Sequence, residues 1–294
     1  MKQLAIIGPT ASGKSDLAIS VAKQLNAYIL SIDSLSIYKE IDIVSAKPSK
    51  KELNKVRHFG IDLLNPDDYF SVDIFISLYK NVISTCQKEG KNLVIVGGTS
   101  FYLKSLLDGL SPLPEITQKI SLEVKEELKN LQDSYAMLYN LDKTYMKNIS
   151  HNDKYRIEKA LLIFKASNLT PTEWFKQNPP KPNIKDLDIY NIDVDRETLR
   201  ERISKRTDKM LDMGLIDEVC YLEQKYTRYP HSMKSIGIVE VLEYLDLKVT
   251  LEKMVENIST HTAQLAKRQQ TFNSTQFKNT INSPLEKLEE IILS

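Results

Sequence analysis

The chain has 294 residues, 41% of them apolar, which is enough for one large or two modest globular domains with a real core. Lys and Arg number 40 against 39 Asp and Glu, a formal net charge of +1, which excludes a globally basic chain and confines any nucleic-acid surface to a local patch. Cys86 and Cys220 stand far apart without C-x-x-C spacing, which excludes a cysteine zinc site and fits two reduced thiols in a cytoplasmic protein.

In chain order, Lys2 precedes a short apolar run ending at Gly8, too short for a signal core or a membrane span, so no membrane partner is expected. Leu4 to Ile7 reads as a buried strand, followed by a glycine-rich loop and a helix whose apolar positions Leu17, Ala18, Val21, Ala22 and Leu25 keep the helical period. "YILSID" predicts a second strand, Val72 to Lys88 a helix, and "NLVIVGG" a third strand. Two proline clusters, "SPLPE" (Ser111 to Glu115) and "NPPKPN" (Asn178 to Asn183), bracket a stretch that is helical throughout, for example over Leu122 to Leu131 and Tyr155 to Ala166. "LDIYNIDVD", Leu187 to Asp195, restores a strand and feeds a long helix from near Glu197. The expected architecture is an α/β fold, a doubly wound parallel sheet with helices on both faces formed by residues 1–112 and 187–294, plus an all-helical inserted domain over 113–186. In such a sheet the segments near Gly8, Asp33, Gly97 and Asp195 share the carboxyl edge, where ligands bind.

"GPTASGKS" (Gly8, Pro9, Thr10, Ala11, Ser12, Gly13, Lys14, Ser15) matches G-x-x-x-x-G-K-[ST] in full, between a strand and a helix, as a diphosphate- or nucleotide-binding loop requires. Backbone N–H groups surround an anion, Lys14 adds a point charge, and Ser15 is the residue expected beside a Mg2+ ion. The later strand ends in "VGGTSFY" with no carboxylate, where an NTP hydrolase would be expected to place the acid that holds magnesium. Asp33, directly after the second strand, is either a turn or cap aspartate or a general base beside the bound phosphates, and its placement favours the base. Gly97 and Gly98 allow close backbone approach, and Thr99 either caps the next helix or donates a hydrogen bond to a ligand. Arg202 and Arg206 lie four apart on one helix face, after Arg196, and read either as a solvated charged face or as lid arginines whose forks suit phosphate oxygens. Lys143 to Lys165 carries six cations against Asp153 and Glu158, an excess of four, interleaved with Tyr145 and Tyr155. His261 to Thr280 carries Lys267, Arg268 and Lys278 with no acid. Each patch alone reads as a solvated helix face, but two of them beside a phosphate loop point to nucleic acid.

The segments "GPTASGKS", "ILSIDSLSIYKEIDIVSAKP", "VGGTSFYLKSLLDGLSPLP", "ISHNDKYRIEKAL" and "LRERISKRTDKML" resemble the bacterial tRNA dimethylallyltransferases, also called tRNA isopentenyltransferases, in order and spacing over nearly the whole chain. The resemblance implies a P-loop kinase-like fold and transfer of a dimethylallyl group from dimethylallyl diphosphate to the exocyclic N6 amine of the adenosine 3′ of a tRNA anticodon. A loop holding the diphosphate leaving group orients no attacking water, so the missing acid is understandable. The resemblance further implies Asp33 as general base, Thr99 near the reacting amine and Arg206 on the diphosphate. It implies tRNA contacts along Asp33, Ser34, Leu35 and Ser36 and along Lys154, Tyr155, Arg156, Ile157 and Glu158, with the helical insertion gripping the anticodon stem-loop. A cytoplasmic monomer is expected. Three positions depart from the family pattern: Ser36 stands for Gln, Ile238 ends "IGI" where the family has I-G-Y, and Ala263 stands for Arg. The competing readings are a small-molecule P-loop kinase, which would phosphorylate from ATP without tRNA, and a non-catalytic nucleotide- or RNA-binding module, which would not need Asp33 and Thr99 aimed into one site.

Overall fold

The computed structural model describes all 294 residues, and the chain divides into two compact units, Met1–Lys104 with Ile184–Ser294, and Ser105–Asn183. The first unit begins with β1 (Gln3–Ile7), α1 (Lys14–Gln24), β2 (Ala27–Ser31), α2 (Lys50–Leu53), β3 (His58–Phe59), α3 (Val72–Lys88), β4 (Asn92–Gly97) and α4 (Ser100–Asp108), within which the division falls. The second unit holds α5 (Gln118–Glu127), α6 (Leu131–Leu141), α7 (Lys143–Met146), α8 (Lys154–Ser167) and α9 (Pro171–Gln177). The first then resumes with β5 (Asp188–Asp193), α10 (Arg196–Asp212), α11 (Leu215–Tyr226), α12 (Ile238–Leu245), α13 (Leu251–Gln276), β6 (Thr280–Pro284) and α14 (Leu285–Leu293).

All six strands are parallel, in the order β3-β2-β4-β1-β5-β6. Apolar residues fill the inner strands without alternation because both faces are covered. Leu4, Ile6, Ile29, Val94 and Val96 pack on Leu17, Ala18 and Val21 of α1 and on Leu288 and Ile292 of α14. Ala5, Ile7, Leu30, Leu93 and Ile95, one residue out of phase, are equally buried, and α3 contacts β2 and β4 with Phe75, Tyr79 and Val82 interred. The register pairs Ile7 with Gly97 and with Asn191, and Ser31 with Val96, so the segments after Ile7, Ser31, Gly97 and Asp193 leave the same edge of the sheet.

Several details differ from the sequence reading. Two strands, β3 and β6, were not anticipated: two residues are too few for a periodic signal, and "TINSP" is polar and ends in proline. The strand placed over Leu187 to Asp195 stops at Asp193, and Asp195 instead caps α10, its Oδ1 accepting from the Thr198 N–H at 2.9 Å. The helix placed over Leu122 to Leu131 is broken, because Asn130 caps a new helix at Leu131.

The helical unit has its own core, with Val124, Leu138, Met146, Ile157, Ala160 and Leu161 all at most 1% exposed. Its helices start on side-chain caps from Thr117, Asn130, Asp142, Asp153 and Thr170, each accepting the N–H three residues on. Asp142 also accepts from the N–H and hydroxyl of Thr172, both at 2.8 Å, tying α9 to α7. No helix of the chain is long and apolar enough to cross a membrane.

Candidate active site

A cavity of about 610 Å³ opens at the carboxyl edge of the sheet, wholly within the first unit. The glycine-rich loop after β1 forms part of its wall: Thr10, Ala11, Ser12, Gly13, Lys14 and Ser15 line it, while Gly8 and Pro9 form the approach from β1. Gly13 takes φ 89°, a left-handed conformation that suits glycine, and a Cβ there would meet Leu285 Cδ2 at 2.6 Å. Lys14 and Ser15 open helix α1, whose N-terminal dipole favours an anion at this point. The Ser12 hydroxyl is fully buried and has no hydrogen-bond partner in the free protein. Lys14 Nζ donates to the Pro9 carbonyl at 2.5 Å. Burial pulls the pKa of Lys14 down to about 8, against the opposing pull of Asp33 and with a smaller push from Arg206. Arg206, from α10, lines the same cavity, and burial also lowers its pKa despite the nearby Asp33.

Asp33 reaches the cavity from the end of β2, and of the two roles the sequence left open the hydrogen bonds show the turn. Its Oδ1 accepts the N–H groups of Leu35 at 2.8 Å and Ser36 at 3.2 Å, an Asx-type turn, and neither bond uses Oδ2. Gly97 makes this placement possible, since a Cβ on it would stand 2.7 Å from Ile32 Cγ1 and 3.0 Å from the Asp33 nitrogen. Thr99 spends its hydroxyl on the neighbouring strand end, accepting from the Ser34 N–H at 3.2 Å and donating to Ser34 Oγ at 3.3 Å. The phosphate loop, Asp33, Ser34, Leu35, Ser36, Thr99 and Arg206 therefore meet in one space. Arg202, four residues before Arg206, does not line it.

Lys154, Tyr155, Arg156, Ile157 and Glu158 lie in the other unit, at the start of α8. Ile157 is fully buried in the helical core, so its side chain offers nothing to a partner, whereas Lys154, Tyr155 and Arg156 are exposed. Arg156 pairs with Asp153 and Lys165 with Glu127, so two of the six cations counted in this stretch already have carboxylate partners.

Some wall residues escaped the sequence reading. Tyr102 stacks on Phe75, ring centroids 4.8 Å apart, and meets Phe70 edge-on at 5.5 Å, so Phe70 and Tyr102 present an aromatic wall to the cavity. Burial first, then Tyr38 and Asp33, pushes the Tyr102 phenol up to about 12, which keeps it neutral and able to donate. From α13, Ile258, Thr262, Leu265 and Gln269 face the cavity at helical spacing. Gln269 Oε1 accepts the Thr10 N–H at 2.8 Å, and a Cβ on Gly98 would collide with its amide. Gln269 thus links the phosphate loop to the end of β4. The period of α13 was available in the sequence, but nothing there says which stripe of a polar helix faces a ligand.

The pattern of the IPP transferase family matches residues 36–276. A tRNA dimethylallyltransferase of Sulfurimonas denitrificans is 69% identical over 294 residues, covering 100% of this chain and 99% of that protein. Among solved structures, the tRNA delta(2)-isopentenylpyrophosphate transferase of Staphylococcus epidermidis is 32% identical with a TM-score of 0.70, over 99% of this chain and 97% of that one. A eukaryotic dimethylallyltransferase acting on tRNA superposes with a TM-score of 0.85 at 24% identity, over 98% of this chain and 75% of that one, a likeness of fold. A family pattern matched over most of the length, with a relative 69% identical over the whole chain, makes this chain a member of the IPP transferase family of tRNA dimethylallyltransferases.

Proposed function

We propose that the chain transfers the dimethylallyl group of dimethylallyl diphosphate to the exocyclic N6 amine of the adenosine 3′ of a tRNA anticodon, releasing diphosphate. The observation that carries the reading is the meeting, in one cavity, of a phosphate cradle with two half-buried cations and a carboxylate whose Oδ2 is left out of its own turn. The C–O bond to diphosphate breaks, the C–N bond forms, and the N6 proton passes to Asp33. Adenine N6 is a weak nucleophile because its lone pair is delocalised into the ring, so removing that proton as the bond forms supplies real driving force. Oδ2 is the accepting atom in this reading, since Oδ1 is committed to two backbone N–H groups. Thr99 orients the amine beside it.

Lys14, Arg206 and the N-terminus of α1 stabilise negative charge that grows on the departing diphosphate, which is where preorganised positive groups lower a barrier most. No group of three His, Cys, Asp or Glu could hold a metal ion by itself, so a magnesium ion would take the Ser15 hydroxyl, diphosphate oxygens and water as its hard-oxygen ligands. Bound there, it would neutralise leaving-group charge. The target base leaves its stack to enter the cavity, and the Phe70 and Tyr102 wall suits a planar ring. The helical unit holds the anticodon stem-loop through Lys154, Tyr155, Arg156 and Glu158, and the enzyme works as a cytoplasmic monomer. Incubation with labelled dimethylallyl diphosphate and unmodified tRNA tests the assignment, with label expected in the tRNA. Label transfer that required ATP, or ATP-dependent phosphorylation of a small molecule without tRNA, would overturn it.

A further inference from the structure

Lys47, in the long connection between β2 and β3, has a side chain only 5% exposed at the edge of the cavity. Its ammonium donates to the Tyr38 carbonyl at 2.6 Å, to Asp42 Oδ1 at 2.7 Å and to Asp62 Oδ1 at 2.5 Å. Three acceptors account for all three of its protons. Two hydrogen-bond chains lead from this ammonium to Asp33. In the first, the Tyr38 whose carbonyl Lys47 holds donates its N–H to the Leu35 carbonyl at 3.1 Å, and the Leu35 N–H donates to Asp33 Oδ1 at 2.8 Å. In the second, the Asp62 whose carboxylate Lys47 holds donates its N–H to the Ser36 carbonyl at 3.2 Å, and the Ser36 N–H donates to Asp33 Oδ1 at 3.2 Å. The two chains leave Lys47 through different residues and end on the same oxygen.

We propose that Lys47 is a positioning residue for Asp33: it fixes the turn that holds Oδ1 and thereby aims Oδ2 at the acceptor amine. Irregular chain has no ladder to hold it, so a buried cation shared by one carbonyl and two carboxylates supplies the constraint that a strand or helix would give. The arrangement is selective. Asp42 belongs to neither chain, and the phosphate loop is held separately, through Lys14 to Pro9 and Gln269 to Thr10. Asp42 and Asp62 are 64% and 48% exposed at their side chains, so both rehydrate when Lys47 is replaced and no buried charge is stranded.

The catalytic half of this role rests on reading Asp33 as the base, whereas the structural half does not, and the test separates them. Hydrogen exchange is measured by NMR at the Leu35 and Ser36 amides in Lys47→Met and Asp42→Asn, with steady-state kinetics on tRNA and dimethylallyl diphosphate alongside. In Lys47→Met, exchange at both amides should quicken about tenfold or more beyond the change at amides of β1 and β4. Its kcat should fall about tenfold with the donor KM within about twofold, the mark of a group acting in the transition state alone. Asp42→Asn should leave all three readouts near wild type. If Lys47→Met does not fold, Asp62→Ala carries the same expectation, because it removes the acceptor that anchors the second chain. Unchanged exchange at Leu35 and Ser36 in a folded variant overturns the clamp. Faster exchange with unchanged kcat overturns the positioning role, and a wild-type protein without prenyl transfer overturns the assigned reaction while the exchange result still decides the clamp.

Discussion

Lys14 and Arg206 bring two positive charges to a cavity where burial disfavours both, and the consequence can be worked out at the single residue. With its pKa near 8, Lys14 in the free protein is charged below that value and increasingly neutral above it. A bound diphosphate favours the charged form and raises the pKa, so donor binding should take up a proton in the window above about pH 8. Affinity should therefore fall as pH rises through that window. Calorimetry in buffers of different ionisation enthalpy measures the uptake, and a pH-independent affinity between 7 and roughly 9.5 would show that Lys14 does not meet the phosphates. Asp33 offers a second test, because its two oxygens do different things. An asparagine in its place can still accept both turn N–H groups through its amide oxygen but cannot take a proton. Asp33→Asn should thus lower kcat by about 10²–10⁴ with little loss of stability. Asp33→Ala should lose the turn as well, at a cost of about 1 kcal/mol in denaturant unfolding. If Asp33→Asn instead weakened magnesium-dependent donor binding and spared single-turnover chemistry, Asp33 would belong to the metal shell.

At the scale of elements, what was legible in the sequence was whatever leaves a local signature. The loop from Gly8 to Ser15 declares itself by spacing, and β1, β2 and β4 by apolar runs that only a sheet buried on both faces explains. The proline clusters suggest an insertion over 113–186, whereas the compact unit in the structure runs from Ser105 to Asn183. The aromatic wall and Gln269 were not legible, because Phe70, Phe75, Tyr102 and Gln269 are brought together by packing, and "DDYFSV" reads as an ordinary loop entering a helix. Lys47 falls in the quoted segment "ILSIDSLSIYKEIDIVSAKP", but nothing there marks it as a buried hub, since its partners Tyr38, Asp42 and Asp62 come from points scattered along an irregular stretch. The packing of strand ends also predicts a sensitivity that composition does not. Gly97 lies against Ile32 and the Asp33 nitrogen with no space for a methyl group. Gly97→Ala should cost about 1–3 kcal/mol in unfolding free energy by overpacking. Because the displaced atoms carry Asp33, turnover should fall further than the folded fraction does. Equal losses of activity and folded protein would mean that the site tolerates the shift.

At the scale of the whole molecule, a net charge of +1 gives no long-range field to draw in a polyanion, so affinity for tRNA must come from local cations. The cavity lies entirely in the first unit, whereas Lys154 and Arg156 lie in the helical unit, both exposed at the start of α8. That division separates two binding terms that a one-domain enzyme would mix. Arg156 also contacts Asp153, but an ion pair this exposed contributes about 1 kcal/mol or less and does not withhold the guanidinium from a phosphate. Reversing both charges, Lys154→Glu with Arg156→Glu, should weaken tRNA binding. It should also reduce the slope of log affinity against log salt by about 1.4–1.8, since each of the two phosphate contacts contributes about 0.7–0.9 through counterion release. Binding of dimethylallyl diphosphate should be unchanged, and kcat at saturating tRNA should stay within about threefold of wild type, because neither residue enters the cavity. Filter binding across a salt series, with donor titration as the control, decides it. A weaker affinity with an unreduced salt slope would mean that the variant has disturbed the α8 cap at Asp153 rather than removed phosphate contacts, and an unchanged affinity would make this face a solvated surface of the helical unit.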